Sequence, residues 1–370
     1  MCIVLLTTSH PKYALIAIDN RDEYILRPTS RPHWWTTQSE SHSPSKARAT
    51  PVTVDVLSSR DLQRAERGTW LGITKGGNFA VLTNYREVNI YDAAHPVHGK
   101  RSRGGMVTAW LGADPGDSVE TFVRGMVESG DVRGVGGFSL ICGKLRKVKG
   151  EKRLKPLAIL SNRHEHMDHV PWICGERGSV YGLSNATYVP AGEQGEEELW
   201  PKIRRGSEML TETVNRLSGD NASEDELSEA LYQILDEDKF PSNHTMDLEE
   251  GIPFLKHSIF IPAFGGKEHQ DEMQEARARG RVVPSEKGPG AEELVLAGRP
   301  DDNPNGFQTG LYGTQRQTLI LVDWDGNVTY KERSLWDSNG NAIPRGQGDM
   351  TFRFKIEGWE DDEFVPAEKL

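Results

Sequence analysis

The sequence predicts an α+β fold in which two antiparallel β-sheets pack face to face, with a pair of helices outside each sheet. Three observations support this prediction. Strands and helices come in blocks rather than alternating singly, which does not suit a doubly wound parallel sheet. Pairs of apolar segments flank short turns, as in β-hairpins. Apolar residues recur at helical spacing in two pairs of segments.

The chain begins with a predicted β-hairpin. Residues 3–6 and 14–18 are apolar and partly β-branched, so each is typical of a buried strand. Residues 8–11, Thr-Ser-His-Pro, supply the turn chemistry. With the turn centred on its last two residues, the numbers of antiparallel partners would sum to roughly 21–22.

This pairing would bring a thiol next to a polar cluster. Cys2 would lie beside Asp19 and Asn20, with Arg21 and Asp22 within side-chain reach. Because Cys is small, the initiator methionine could be removed, and the new α-amine, with a pKa of about 7.7–8.0, could accept the thiol proton. Arg21 could lower the pKa of the thiol, and Asp22 could orient the amine. The alternative is a structural cysteine that serves as a small hydrophobic residue.

The later elements follow in order. Residues 70–74 and 79–84 form a predicted hairpin whose second strand ends at Asn84. Ser223 to Glu226 matches a capping box at the start of a helix. The other predicted elements are helices at 104–112, from 117 and from 201, hairpins at 138–142 with 156–163 and at 318–323 with 328–332, and strands at 180–185 and near 351–354.

A single domain is expected to span residues 1–370. Two segments are expected to be mobile insertions: residues 36–50, which are rich in Ser and Thr, and residues 265–309, which are rich in Gly, Pro and Glu. Residues 336–370 are expected to form a C-terminal extension.

Composition argues against several classes of protein. The net charge of −11 at pH 7 argues against nucleic acid as a partner. No segment approaches the ~20 apolar residues of a membrane span, and the N-terminus lacks the basic region of a secretory signal. The three cysteines form no disulfide framework, which points to a reducing compartment.

Two segments invite other functions. Residues 164–169, His-Glu-His-Met-Asp-His, contain metal-ligand residue types, but their spacing differs from His-Glu-x-x-His and a solvated loop is expected. Residues 134–137, Gly-Val-Gly-Gly, lack the Lys and Ser/Thr of a phosphate-binding loop. We therefore assign no metal ligand and expect no required cofactor.

Eight short motifs, taken in their order along the chain, are specific to one family. The motifs are Met1-Cys2, Asn20-Arg21-Asp22-Glu23, Thr83-Asn84-Tyr85-Arg86, Ser102-Arg103-Gly104, Ser161-Asn162-Arg163, Gly182-Leu183-Ser184-Asn185, Trp200-Pro201-Lys202 and Tyr312-Gly313-Thr314. From residue 1 to about residue 335 the chain resembles the transport and Golgi organization protein family, also called the NRDE family after the tetrapeptide at 20–23.

The resemblance implies an N-terminal-nucleophile hydrolase-like fold, a four-layer αββα sandwich. The family looks distantly similar to the penicillin V acylase and bile-salt hydrolase group, in which an N-terminal Cys attacks an amide. By this resemblance Cys2 is the nucleophile, and Arg21 and Asp22 support it. Asn84 would offer a side-chain donor to the oxyanion, and Asn185 would hold the amine or the oxyanion.

Four further residues are assigned as ligand-binding or supporting residues: Asn20, Glu23, Arg86 and Arg316. Many relatives have an arginine directly after the Tyr-Gly-Thr motif, where this chain has Gln315. Arg316 is the nearest cation, but adjacent strand residues point to opposite faces, so it would be turned away from the face of Gln315.

The resemblance also implies roles in Golgi organisation, protein secretion and lipid or haem handling. It implies a cytoplasmic protein associated peripherally with the Golgi or mitochondria. Two functions remain open. Cys2 could be the centre of a small-molecule or acyl-group site, with haem or acyl-CoA as candidate ligands. Alternatively, Cys2 could be the nucleophile of a cysteine amidohydrolase or thioesterase.

Overall fold

The described part of the chain has four layers, in the order helices, sheet, sheet, helices. The computed structural model describes residues 2–39, 52–64, 66–85, 103–130, 132, 135–190, 199–219, 222–282 and 308–361. Within these residues, two antiparallel sheets face each other and a helix pair covers the outer side of each. The predicted α+β class and its αββα layer order are confirmed.

The strands and helices have the following bounds. The strands are β1 Ile3–Thr7, β2 Tyr13–Tyr24, β3 His33–Gln38, β4 Thr53–Ser58, β5 Leu71–Thr74, β6 Asn78–Asn84, β7 Phe138–Lys144, β8 Lys147–Val148, β9 Leu157–Ser161, β10 Trp172–Ile173, β11 Val180–Leu183, β12 Tyr312–Asp323, β13 Asn327–Ser334, β14 Asp349–Lys355 and β15 Glu360–Asp361. The helices are α1 Arg103–Leu111, α2 Val119–Ser129, α3 Pro201–Arg216, α4 Glu224–Leu235, α5 Leu248–Leu255 and α6 Lys267–Ala278, with a 3₁₀ turn at Met167–His169.

The two sheets differ in strand order. In the described residues, the first sheet has the order β11-β1-β2-β12-β13-β14, and the second has the order β10-β9-β7-β6-β5-β4-β3. Strands β8 and β15 form a separate parallel pair. The first sheet therefore places the opening hairpin between β11 and β12, at the centre of its hydrogen-bonded ladder.

Side chains of β1 and β2 alternate between two environments, as the period of a strand requires. Val4 and Ala17 belong to the core between the sheets. Ile3 and Ile18 pack against α3 and α4 on the outer side of the first sheet. We call these two sides the inter-sheet face and the helix face of the first sheet.

Local signals in the sequence explain where several helices begin. The Ser118 hydroxyl accepts a hydrogen bond from the Thr121 backbone N–H at the start of α2. The capping box predicted at Ser223 and Glu226 is present at α4, and Pro201 occupies the first turn of α3. None of the helices in the described residues is long and apolar enough to cross a membrane.

The register of the opening hairpin differs by about one residue from the predicted register. Ile3 pairs with Asn20 and Thr7 with Ile16, so partner numbers sum to 23. Within the loop, the Ser9 N–H donates to the Thr7 hydroxyl and the Lys12 N–H donates to His10 Nδ1. These local bonds accompany the shift of the turn centre towards Lys12.

Parts of the expected insertions are regular structure. Residues 36–38 belong to β3, which pairs with β4, and Lys267–Ala278 forms α6 rather than an irregular loop. Residues 40–50 and 283–307 of those insertions lie outside the described residues. Within the expected C-terminal extension, β14 pairs with β13 and completes the first sheet. Strands β3 and β4 and helix α5 were not predicted as elements.

Candidate functional site

Cys2 lies where β1 begins, between β2 and β11. Its side chain is only 8% exposed, and its Sγ lies 3.9 Å from the Asp22 carbonyl oxygen. The Ser184 hydroxyl donates to the Cys2 carbonyl oxygen at 2.6 Å. The register of β1 and β2 continues to place Cys2 level with Arg21. Contacts with β2 and with Ser184, which follows β11, therefore hold Cys2 in place.

The predicted asparagines lie close together next to this position. Asn185 is buried, and its Nδ2 donates to the Asn84 carbonyl oxygen at 2.5 Å. The Ser184 hydroxyl also lies 3.3 Å from Asn185 Oδ1. Strands β6 and β11 thus deliver Asn84 and Asn185 to one place, and Ser184 connects that place to Cys2. The roles of the two asparagine side chains towards an oxyanion stay predictions.

Asp22 is buried on the helix face, among groups that bind its carboxylate. Thr314 donates to Asp22 Oδ1 at 2.7 Å, and the Lys202 ammonium lies 3.9 Å from Oδ2. Burial raises the pKa of Asp22, while the N-terminal amine first, then Lys202 and the Thr314 hydroxyl, act in the opposite direction. A charged partner of Asp22 therefore comes from α3, which the sequence did not assign to the site.

The Arg21 side chain points to the inter-sheet face, towards the second sheet. Its guanidinium donates to Gln315 Oε1 and lies 4.4 Å from the centre of the Trp70 ring. The expected lowering of the thiol pKa by Arg21 is not found. Burial instead raises the pKa of Cys2 to about 11, and the carboxyl groups of Asp19 and Asp22 act in the same direction.

A β-bulge changes the expected orientation after the Tyr-Gly-Thr motif. Thr314 pairs with Asp22 and Arg316 pairs with Arg21, so Gln315 is the extra residue. Gln315 consequently points towards Arg21 on the inter-sheet face.

Arg316 lies on that same inter-sheet face, which corrects the expectation that it faces the other way. It contacts Ser334, Thr29 and Glu332, and Glu332 in turn accepts from the Ser59 hydroxyl at 2.5 Å. These contacts join Arg316 to the cluster around Glu332.

The inter-sheet face near Cys2 contains buried polar groups that the described protein atoms leave without hydrogen bonds. Both carboxyl oxygens of Asp19, which is 1% exposed, lack a hydrogen-bond partner among the described residues. The same holds for Trp70 Nε1 and the Thr83 hydroxyl. Burial raises the pKa of Asp19 well above its usual value, and Asp22 and Glu332 act in the same direction. Such groups commonly bind a ligand or ordered water.

The remaining assigned residues lie further from the thiol. Asn20 points to the helix face, where its Nδ2 donates to the carbonyl oxygens of Leu235 and Ile259 at 2.8 and 3.0 Å. Glu23 accepts from the Tyr24 N–H and lies 3.6 Å from Arg27. Arg86 lies outside the described residues.

Sequence reasoning did not assign three residues that surround Cys2: Ser184, Lys202 and Arg103. Each of these residues belongs to one of the eight motifs that carry the family resemblance, and those motifs could have pointed to them. Arg103 donates to the Gly137 carbonyl oxygen at 3.2 Å. Burial lowers the pKa of Arg103 to about 10, while Glu23 and Cys2 are among the groups that raise it.

The described residues contain no group of three or more His, Cys, Asp or Glu side chains placed to hold a metal ion. In the His-rich segment, His166 and His169 stack edge to face. Burial lowers the pKa of His164 to about 4, with His169 acting in the same direction.

Comparison with solved structures finds hydrolases at low similarity. A variant of conjugated bile acid hydrolase from Clostridium perfringens covers 99% of this chain and 100% of its own, at 10% identity and a TM-score of 0.38. An N-acylethanolamine-hydrolyzing acid amidase ortholog from Caenorhabditis elegans covers 70% of this chain, at 12% identity and a TM-score of 0.30. At these TM-scores the likeness carries no argument about individual residues.

Comparison of sequences finds relatives along nearly the whole chain. The Transport and Golgi organization protein 2 homolog of Bos taurus is 29% identical over 345 residues, which are 92% of this chain and 95% of the relative. The Homo sapiens homolog is 28% identical over the same shares. The family model described as Transport and Golgi organisation 2 matches residues 1–337. This chain therefore belongs to the Transport and Golgi organisation 2 family.

Proposed function

We propose that this protein binds an acyl group or another small ligand at a site centred on Cys2. Through this site it would serve Golgi organisation and protein secretion and handle lipid or haem. The observation that carries the proposal is the set of buried polar groups that have no hydrogen-bond partner among the described residues, Asp19, Trp70 and Thr83, on the inter-sheet face that Cys2 joins. Buried polar groups are usually hydrogen-bonded, so a bound molecule is their natural partner.

A cavity beside β11 supports an apolar portion of the ligand. Its volume is about 500 Å³, which lies within the range of small-molecule sites. Tyr181, Tyr188 and Ile203 are among its lining residues. Strand β11 continues from this cavity to Ser184, which binds the Cys2 carbonyl oxygen. The cavity is lined mainly by residues of β11 and α3, and the proposal places an apolar chain of the ligand there and its polar group near Cys2.

For the chain that retains Met1, the raised pKa of the Cys2 thiol supports binding. With a pKa of about 11, the Cys2 thiol carries its proton at neutral pH. A cysteine nucleophile acts as the thiolate, and active-site cysteines usually have lowered pKa values. Binding requires no such activation.

The second candidate is a cysteine amidohydrolase or thioesterase. The buried Asp22, held by Thr314 and Lys202, favours it, because a fixed carboxylate could orient an α-amine on Cys2. This mechanism requires removal of Met1, which mass spectrometry of the protein from its native source can test. Retention of Met1 would exclude the shared amine–thiol mechanism.

One assay separates the two candidates. Purified protein is mixed with palmitoyl-CoA, and calorimetric binding and release of free CoA are measured together. Binding without CoA release is expected. CoA release that disappears in Cys2→Ser but persists in Cys142→Ser would contradict a pure binding role and favour the thioesterase. Cys142 is a matched control, because it is fully buried in the core beneath α1 and α2. Absence of binding to palmitoyl-CoA and to haem would overturn the proposal.

The cellular role is tested in cells that lack the gene for this protein. Cys2→Ser and Cys2→Ala are expected to restore Golgi morphology and secretion, because the proposed binding needs no thiolate. Complete loss of rescue by a folded Cys2→Ser protein would contradict the binding role and favour catalysis.

A further inference from the structure

Lys202 is a lysine whose side chain is 0% exposed, in the first turn of α3. Burial of an ammonium group is costly unless a partner compensates it. The Lys202 backbone N–H donates to the Lys256 carbonyl oxygen at 3.0 Å, so the residue is fixed against the chain that follows α5. Its side chain lies 5.6 Å from the centre of the Trp200 ring.

The charged end of Lys202 meets the helix face of the first sheet at Asp22. The distance from Nζ to Asp22 Oδ2 is 3.9 Å, and both side chains are fully buried. Thr314 fixes the other carboxylate oxygen, and its Oγ1 also accepts from the Ile261 N–H at 2.8 Å. The carboxylate of Asp22 is thus held between two side chains that are themselves held by the backbone of neighbouring segments.

This pair lies next to the residue at the centre of the candidate site. The Asp22 carbonyl oxygen is 3.9 Å from Cys2 Sγ. Burial lowers the pKa of Lys202, while Asp22 first and Cys2 second act in the opposite direction. Other charged groups that act on Cys2 or Asp22 are the N-terminal amine, which lowers the pKa of both, and Asp19 from the inter-sheet face, and Cys2 in turn acts on Arg103 from α1.

We propose that Lys202 is a positioning residue of the Cys2 site, whose ammonium keeps the Asp22 carboxylate charged and fixed on the helix face, so that the Asp22 carbonyl group stays in contact with Cys2 Sγ. The proposal assigns no contact between Lys202 and a ligand. The proposal concerns the same site as the proposed function. It rests on that function only in the use to which the site is put.

Removal of either partner should make stability depend on pH, with opposite signs. Lys202→Met leaves a buried carboxylate, whose pKa in the folded protein rises further above its unfolded value. Stability should therefore be lost as pH rises through that raised value. Asp22→Asn leaves a buried ammonium, whose pKa in the folded protein falls further. Stability should then be lost as pH falls from about 10.4, the unfolded pKa of lysine.

The measurement is the urea midpoint of unfolding from pH 5 to pH 9 for the wild type, both single variants and the double variant. Relative to wild type, the midpoint of Lys202→Met should decrease with rising pH, and that of Asp22→Asn should decrease with falling pH. The double variant should show neither trend, because both charges are absent. A packing role alone would lower the midpoint equally at every pH. Parallel curves for wild type and both single variants would overturn the proposal.

A second measurement concerns Cys2 itself. Iodoacetamide alkylation at pH 8 is followed by peptide mapping, with the buried Cys142 and Cys174 as internal references for opening of the fold. Loss of the nearby positive charge should slow Cys2 alkylation in Lys202→Met, and loss of the negative charge should accelerate it in Asp22→Asn. A change of about threefold to tenfold is expected, since one pKa unit is tenfold in thiolate.

The double variant should restore an alkylation rate close to that of wild type. Equal Cys2 rates in all four proteins would overturn the coupling of Lys202 to the site. If a single variant opened the fold and exposed Cys142, the double variant would be compared with wild type instead. A Cys2 alkylation rate in the double variant that differed from the wild-type rate would then overturn the proposal. Neither measurement contains an acyl ligand, so failure of the proposed function in the palmitoyl-CoA assay is a separate result.

Discussion

The polar side chains on the two faces of β2 differ in their hydrogen-bond partners. On the helix face, Asn20 donates to two backbone carbonyl groups and Asp22 is bound by Thr314 and Lys202. On the inter-sheet face, Asp19 has no hydrogen-bond partner among the described residues. Asn20 on the helix face thus uses its amide nitrogen within the protein, although its Oδ1, like both carboxyl oxygens of Asp19, has no hydrogen-bond partner among the described residues. We therefore contrast the helix face, for which a structural task is expected, with the inter-sheet face, for which we propose a binding task.

The largest effect in this comparison is expected for Asn20→Ala on the helix face. The change removes the donor to the buried carbonyl groups of Leu235 and Ile259, which tie the end of α4 and the segment after α5 to β2. The free energy of unfolding should fall by about 2–4 kcal/mol, as two acceptors lose a partner. Urea unfolding measures it. Asn215→Ala, at an exposed position on α3, is the control and should change stability by less than about 0.5 kcal/mol. A loss for Asn20→Ala as small as that of the control would remove the structural task from the helix face.

A smaller, pH-dependent effect is expected for Asp19→Asn on the inter-sheet face. The pKa of Asp19 is raised in the folded protein, above about 3.9 in the unfolded chain. The folded state thus binds the proton more tightly, and the contribution of Asp19 to stability is lost as pH rises from about 4 through the raised pKa.

Asp19→Asn should therefore have nearly the wild-type free energy of unfolding at pH 4. As pH rises, its free energy of unfolding should exceed that of the wild type by an amount that grows by at most ~1.4 kcal/mol per pH unit. Urea unfolding at pH 4, 5 and 6 checks this. Asp168→Asn, at an exposed position, should show no such trend. A stability difference between Asp19→Asn and wild type that stays constant with pH would mean that Asp19 is charged and satisfied, against the proposed contrast of faces.

The smallest effect is expected for Thr83→Val. Its hydroxyl has no hydrogen-bond partner among the described residues, whereas the Thr7 hydroxyl donates to the Ser179 carbonyl oxygen at 3.0 Å. Thr7→Val should cost about 1 kcal/mol, and Thr83→Val should be neutral within about 0.5 kcal/mol. Urea unfolding compares the two variants. If Thr83→Val weakened palmitoyl-CoA binding while leaving stability unchanged, the binding task of the inter-sheet face would be sharpened. An equal stability loss in both variants would contradict the difference between the two hydroxyl groups.

Local patterns in the sequence determined most of the elements and the neighbourhood of the site. Apolar periodicity predicted α1 to α4 and the hairpins, because burial of one face is encoded at short range. The capping box at Ser223 predicted where α4 begins, because its bonds join residues three apart. The hairpin pattern predicted that Cys2 lies near residues 19–22, because antiparallel strands joined by a short loop must pair.

Only the tertiary structure decided which groups meet at that place. A one-residue change in register moves every cross-strand partner, and β2 has to keep register with both β1 and the distant β12. The bulge at Gln315 turned it towards Arg21, because an extra residue interrupts the alternation of a strand. The burial of Lys202 against Asp22 arises from the packing of α3 on β2, and the raised pKa of Cys2 arises from its burial in the assembled sheets, both at separations in sequence that no local pattern encodes.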